Sequence, residues 1–199
     1  MAVTQARYSK VAMLLHWTIA LLIIGNIGVA WYFNTLHGLA KIEPVQLHKS
    51  IGITVMLLSL ARLAWRLAVP PPPLPDAVTG WERGAAQAVH LGFYVIMLGL
   101  PLSGWALSSA SLLIKTFPIV LFHLVPWPAI GPLTTLAPHR MQTVHHFAVL
   151  AHHLLVKAAY GLILLHVGAA LKHQFVSRDE VAARMIPFLK PRRAGEARR

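Results

Sequence analysis

Cysteine is absent from the sequence. That excludes disulfides, thiolate-bound metals, iron–sulfur clusters and covalent attachment of haem through C-x-x-C-H. Charge is scarce: charged residues make up 12% of the chain, against about 25% in a typical soluble domain. Acid is scarcer still, with Asp+Glu 6 against Lys+Arg 18 and a net charge of +12. The acids are Glu43, Asp76, Glu82, Asp179, Glu180 and Glu196, and none falls inside a long apolar run. Hard-cation transport and carboxylate proton relays therefore lack their ligands. Ser59 and Ser103 stand in no recognisable nucleophile motif, which leaves a membrane protease without its chemistry.

What fills the chain is apolar: 56% of its 199 residues are hydrophobic. A soluble domain of this size cannot hide that much apolar surface, and disorder needs the opposite composition. Four runs reach the length of about 20 residues that a bilayer requires. They are Val11–Phe33, Leu47–Leu67, Gln87–Ser109 and Val144–Leu171. The first is too long for a cleaved signal peptide and has no small-x-small site at its end. Trp17, Trp31, Tyr32, Trp65, Trp105 and Trp127 fall near the run ends, as an interfacial aromatic belt does. Ser111–His139 is apolar in part, but its stretch Leu112–Val125 is short and carries Lys115, Pro118 and His123. It reads as a loop with an interfacial or re-entrant piece. Pro70–Pro73 and Pro75 make an extended linker with polyproline II character.

The basic residues sort by side. Arg7, Lys10, Arg62, Arg66, Arg83, Lys172, Arg178, Arg184, Lys190, Arg192, Arg193, Arg198 and Arg199 share one side of a four-span chain. Lys41, Lys49, Lys115 and Arg140 fall on the other. The positive-inside rule places both termini in the cytoplasm. The basic tail 172–199 reads as a topology and lipid-headgroup anchor, with no nucleic-acid partner implied. Residues 1–199 form one transmembrane domain in this reading.

Twelve histidines remain to be explained. An imidazole inside a span is costly without a partner and is a functional hypothesis by default. The first run holds His16, the second His48 and the third His90; the fourth holds His145, His146, His152, His153 and His166, with His173 just beyond its end. His152 and His166 are 14 residues apart, a rotation only about 40° short of four full turns and a rise of about 21 Å. They share a helix face, whereas His153 points about 140° away from His166. Depth pairs His16 with His166 near the cytoplasmic side and His48 with His152 near the other. Two imidazoles facing each other across a gap in an apolar bundle suit haem iron, and two stacked haems form an electron path. Arg62 and Arg66 lie 14 and 18 residues beyond His48, on the same stripe and at the depth of the inner pair. Guanidinium groups there suit haem propionates; for Arg66 the plainer reading is a side chain snorkelling to the surface. The expected fold is an all-α integral membrane four-helix bundle with haem bound between the helices. A haem-free histidine-based transporter is the rival of another class.

These residues resemble the bacterial cytochrome b561 family of small dihaem membrane cytochromes. The resemblance runs through Leu15-His16-Trp17, Leu47-His48-Lys49-Ser50-Ile51-Gly52, and Arg62 and Arg66 ahead of the proline linker. It continues through His90, Leu100-Pro101-Leu102-Ser103-Gly104, His152, Leu165-His166, Ala169-Ala170-Leu171-Lys172-His173 and Arg184-Met185-Ile186-Pro187. It implies two non-covalent b haems with axial ligands His16, His48, His152 and His166. It implies exchange of electrons with ubiquinone or another quinone, with His173 and His90 on the quinone side, in the bacterial inner membrane. One type of free-standing member is a superoxide:ubiquinone oxidoreductase, so superoxide or a redox protein is the expected periplasmic donor. The chain is also similar to the cytochrome b subunits of hydrogenase and formate dehydrogenase, which makes an electron-carrying subunit the alternative. The loop 111–143 and Lys157 depart from the family pattern.

Overall fold

The computed structural model describes residues 7–73, 80–179 and 181–189. Pro75, Asp76, Glu180, Glu196 and the basic tail from Lys190 onward lie outside the described residues.

Four long helices carry the apolar runs. Helix α1 spans Lys10–Asn34, α2 Ile42–Ala68 and α3 Gly80–Ser109; α4 is a short turn of helix, Gly131–Thr134, and α5 spans Pro138–Leu171. All four long helices have the length and hydropathy to cross a membrane. Their large apolar side chains face outward: Leu14, Leu21, Ile24, Leu91, Leu154 and Leu164 are exposed. Helices that are apolar on every face need lipid around them. Four helices of this length and composition make a multi-pass membrane protein.

Three helices begin several residues before their apolar runs, at 42, 80 and 138 rather than 47, 87 and 144. Their first turns are polar and extend past the apolar core, where hydropathy does not mark them. Pro44 and Pro138 sit in first turns, where the missing N–H has no intrahelical partner to lose. Ser9 caps α1, its Oγ accepting from the Ala12 amide at 3.2 Å and from Trp65 Nε1 at 2.9 Å. One hydroxyl thus caps the start of α1 and ties it to the last turns of α2. Pro101 lies inside α3. Beyond α5 the chain makes a π-helical turn, Lys172–Ser177, closed by Arg178 at φ 50°.

Helix α1 packs on α2, α2 on α3 and α3 on α5. Among the described residues α5 makes no comparable backbone packing with α1 or α2. The bundle therefore leaves a gap between α5 and the α1–α2 pair. Contact between α3 and α5 is close because of glycine: a Cβ at Gly92 would stand 2.9 Å from Leu162 Cδ1, and one at Gly99 3.3 Å from Leu155 Cδ1.

The loop 111–137 folds back over one end of the bundle. Val120–Leu121 and Val125–Pro126 form a small antiparallel hairpin, with Phe122 and His123 in the left-handed region at its tip. Its apolar residues Ile114, Ile119 and Leu121 are buried against Ile53, Trp105 and Trp127. Two buried serines tether it. Ser50 Oγ donates to the Gln46 carbonyl and accepts from the Phe122 amide at 2.9 Å; Ser109 Oγ donates to the Trp105 carbonyl and accepts from the Ile130 amide at 3.0 Å. The segment is thus a packed cap and not a further span.

Candidate functional site

The histidines of the four helices converge in two layers. In one, the rings of His48 on α2 and His152 on α5 have centres 6.3 Å apart. In the other, His16 on α1 and His166 on α5 have centres 6.1 Å apart. Both pairs face across the gap that the helix packing leaves open. Between the layers lies an apolar cluster of Ile19, Val55 and Met97, flanked by Phe93 and Tyr94.

These separations carry a chemical meaning. A metal about 2.0 Å from the facing nitrogen of each imidazole holds the two ring centres about 6.3 Å apart. A direct ring contact or an imidazole–imidazole hydrogen bond has no need of a gap between helix backbones. The His48–His152 layer opens on an apolar cavity of about 150 Å³ whose walls include Asn26, Gly52, Val55, Met97 and Gly104. Gly104 on α3 lies beside the His152 ring: a Cβ there would meet His152 Cε1 at 3.5 Å, an ordinary van der Waals contact. The donor set, the gap and the apolar walls fit a flat macrocycle with two axial imidazoles.

His90 adds a third ring to the second layer, 6.2 Å from His166. Ring separation alone does not choose between His16 and His90 as the partner of His166. His90 stands on α3, which is closely packed on α5. His16 stands on α1, across the open gap.

What lies behind the rings differs between layers. His152 Nδ1 lies 3.1 Å from the Leu100 carbonyl and 3.0 Å from Ser103 Oγ. His48 Nδ1 lies 3.4 Å from the Asn26 carbonyl. His16 Nδ1 is buried with no hydrogen-bond partner. His145, one seven-residue step before His152, is anchored to the Leu107 carbonyl at 2.8 Å. His153 is exposed, on the far side of the helix from the gap.

The second layer adjoins a basic cavity of about 280 Å³ lined by Arg7, Arg62, Arg66, Tyr8, Trp65 and Tyr94 among others. Arg62 is half-buried and places its charge beside His16, His90 and His166. Arg66 is exposed, with its guanidinium 6.0 Å from the centre of the Tyr94 ring. Among the described residues none of these arginines has a carboxylate partner. A guanidinium at membrane depth costs roughly 3 kcal/mol or more, so an anion in this cavity has a ready role.

Beyond this layer the end of α5 bears a third arrangement. His173 Nδ1 lies 2.6 Å from Asp179 Oδ2, and both side chains are largely buried. The π-helical turn brings the carboxylate back to the ring, and Asp179 Oδ1 accepts from the Val181 amide at 3.1 Å. Nearby, Lys172 pairs with Glu82 at 2.5 Å. Lys157 is exposed on α5, away from the gap.

The sequence family described as prokaryotic cytochrome b561 matches residues 7–188. The chain belongs to this family. It is 33% identical over 187 residues to "Cytochrome b561 homolog 2" of Escherichia coli (strain K12), covering 92% of this chain and 93% of that protein. It is 30% identical over 188 residues to "Probable superoxide oxidase CybB" of Yersinia pestis, covering 91% and 96%. "Cytochrome b561 homolog 1" of Escherichia coli (strain K12) is 28% identical over 195 residues, covering 92% and 99%. Cytochromes of this family bind b-type haem and carry electrons in the membrane, and this chain is one of them.

Sequence reasoning missed three members of the site. Ser103 sits within a quoted motif, but its partner is a histidine on another helix. Asn26 acts through its backbone, which carries no residue signal. Asp179 meets His173 only through the π-helical turn, and nothing in the sequence marked that turn.

Proposed function

We propose that this cytochrome carries electrons across the inner membrane, from a donor on its outer face to the quinone pool, through two b haems. The ligands are His48 with His152 and His16 with His166. The observation that carries this reading is the two imidazole pairs, 6.3 and 6.1 Å apart at their ring centres, facing across the gap between α5 and the α1–α2 pair. Both termini lie in the cytoplasm, as the distribution of Lys and Arg favours. The His16–His166 layer is then the inner one, and residues 1–199 act as a single domain.

Haem held by these imidazole pairs would supply reversible one-electron storage and would leave no position for oxygen or substrate. Substrates therefore react at the two ends. Arg62 and Arg66, which line the basic cavity, would hold the propionates of the inner haem. At the outer end Lys41, Lys49, Lys115 and Arg140 face few acids; Glu43, the described acid on that side, is engaged by His123 at 3.0 Å. That balance attracts an anionic donor. Superoxide is such a donor, and one relative is named as a probable superoxide oxidase. At the inner end His173, braced by Asp179, holds a proton for a quinone oxygen, with His90 and Lys172 as neighbouring polar groups. The overall reaction balances as two superoxide ions plus one quinone plus two protons, giving two dioxygen molecules and one quinol.

The test is to mix the oxidised holoprotein with superoxide in the presence of ubiquinone and follow haem reduction and quinol formation. Fast haem reduction that slows as salt rises through about 0.1 M is expected, because the Debye length there is about 10 Å. No reduction by superoxide, together with fast reduction by added quinol, would make the chain an electron-carrying subunit of a larger dehydrogenase.

A further inference from the structure

The two imidazole layers differ in hydrogen bonding and in charge, and both differences act in one direction. Behind His152, Nδ1–H is shared between the Ser103 hydroxyl oxygen at 3.0 Å and the Leu100 carbonyl at 3.1 Å. The Ser103 hydroxyl in turn donates to the same carbonyl at 2.9 Å. Ring nitrogen, hydroxyl and carbonyl form a closed triangle. It requires the proton on Nδ1 and leaves Nε2 as the free donor nitrogen. In the other layer His16 Nδ1 is buried without a partner.

An imidazole whose N–H is bonded to an acceptor is a more basic ligand. A more basic ligand favours the oxidised, more positively charged iron. Positive charge nearby favours the reduced iron. The His16–His166 layer has Arg62 beside it, with Arg7 and Arg66 lining the same cavity. The His48–His152 cavity has Lys49 alone.

We propose that Ser103 is a positioning residue which, with the Leu100 carbonyl, fixes the tautomer and orientation of His152 and sets the haem of the His48–His152 layer below that of the His16–His166 layer in reduction potential. Electrons entering at the Ser103 end then run downhill toward the Arg62 end. The inference rests on the two-haem reading above.

The experiment is a spectroscopic redox titration of the purified holoprotein, its Ser103→Ala variant and its Ser103→Thr variant, with haem counted in each. The wild type is expected to titrate in two steps, the lower belonging to the component missing from His152→Ala. Ser103→Ala should favour reduction of that lower component about tenfold, a shift of about 59 mV for a one-electron couple. The upper component should stay in place, and Ser103→Thr, which keeps the hydroxyl, should match the wild type. If Ser103→Ala loses that haem while Ser103→Thr keeps it at its native potential, the positioning role stands. Loss from both variants would overturn it, since the hydroxyl would then not be the feature that matters. Two haems in Ser103→Ala with neither component moved, or both moved equally, would also overturn it, as would the reverse order of potentials in the wild type. A wild type with one haem per chain would instead contradict the two-haem reading.

Discussion

His166→Ala is expected to lose one of two haems, and His152→Ala the other. Each substitution removes one of the two imidazoles that face each other in its layer. The two positions are about 21 Å apart along α5, with Ile19, Val55 and Met97 packed between the layers. Loss in one layer should therefore leave the other near its native spectrum, so each variant keeps about half the haem of the wild type. His16→Ala should behave as His166→Ala does, and His48→Ala as His152→Ala. Two controls sharpen the result. His153→Ala should keep both haems, because that ring is exposed on the far side of the helix. His90→Ala should also keep both, because α3 is closely packed on α5 and His16 stands across the open gap. Haem loss in His90→Ala with retention in His16→Ala would transfer the ligand role to His90. Equal loss of both haems from every variant would indicate misfolding and not ligand removal.

The second large effect concerns the quinone end. Reduction of a quinone requires two protons as well as two electrons, and a positioned acid–base group contributes about 100-fold or more to such a transfer. His173 lies seven residues beyond His166, in the π-helical turn that follows the end of α5. Asp179 holds its Nδ1 at 2.6 Å, which leaves Nε2 available to a substrate oxygen. His173→Ala should slow quinol formation about 100-fold while haem reduction by the outer donor keeps its rate. Asp179→Asn should slow quinol formation less, since it disturbs the ring without removing it. Quinol formation at the native rate in His173→Ala would place the quinone elsewhere, whereas loss of haem reduction as well would point to damage to the electron path.

Much of the fold was legible because lipid imposes a simple rule on sequence. A span must be apolar for about 20 residues, and four runs were. Their polar first turns escaped because hydropathy sees only the apolar part: α3 begins at Gly80, with Trp81, Glu82 and Arg83 in its first turn. The loop 111–137 was harder. Its burial depends on Ser50 and Ser109, which lie far away in sequence and bond to backbone amides. The shared face of His152 and His166 follows from helix arithmetic alone. The tight α3–α5 contact does not, because it rests on which residues Gly92 and Gly99 meet. For the same reason the closeness of His90 to His166 was invisible in sequence, although both residues were singled out. Asp179 could be noted as an acid outside the spans, but its pairing needs the chain to turn back through 172–177.

Two pairs of facing imidazoles should each hold one b haem. Pyridine haemochrome quantitation of the purified protein, expressed with ample haem, tests it most directly. About two non-covalent haems per chain are expected, both low-spin with no free coordination site. One haem per chain, or a colourless protein, would contradict it.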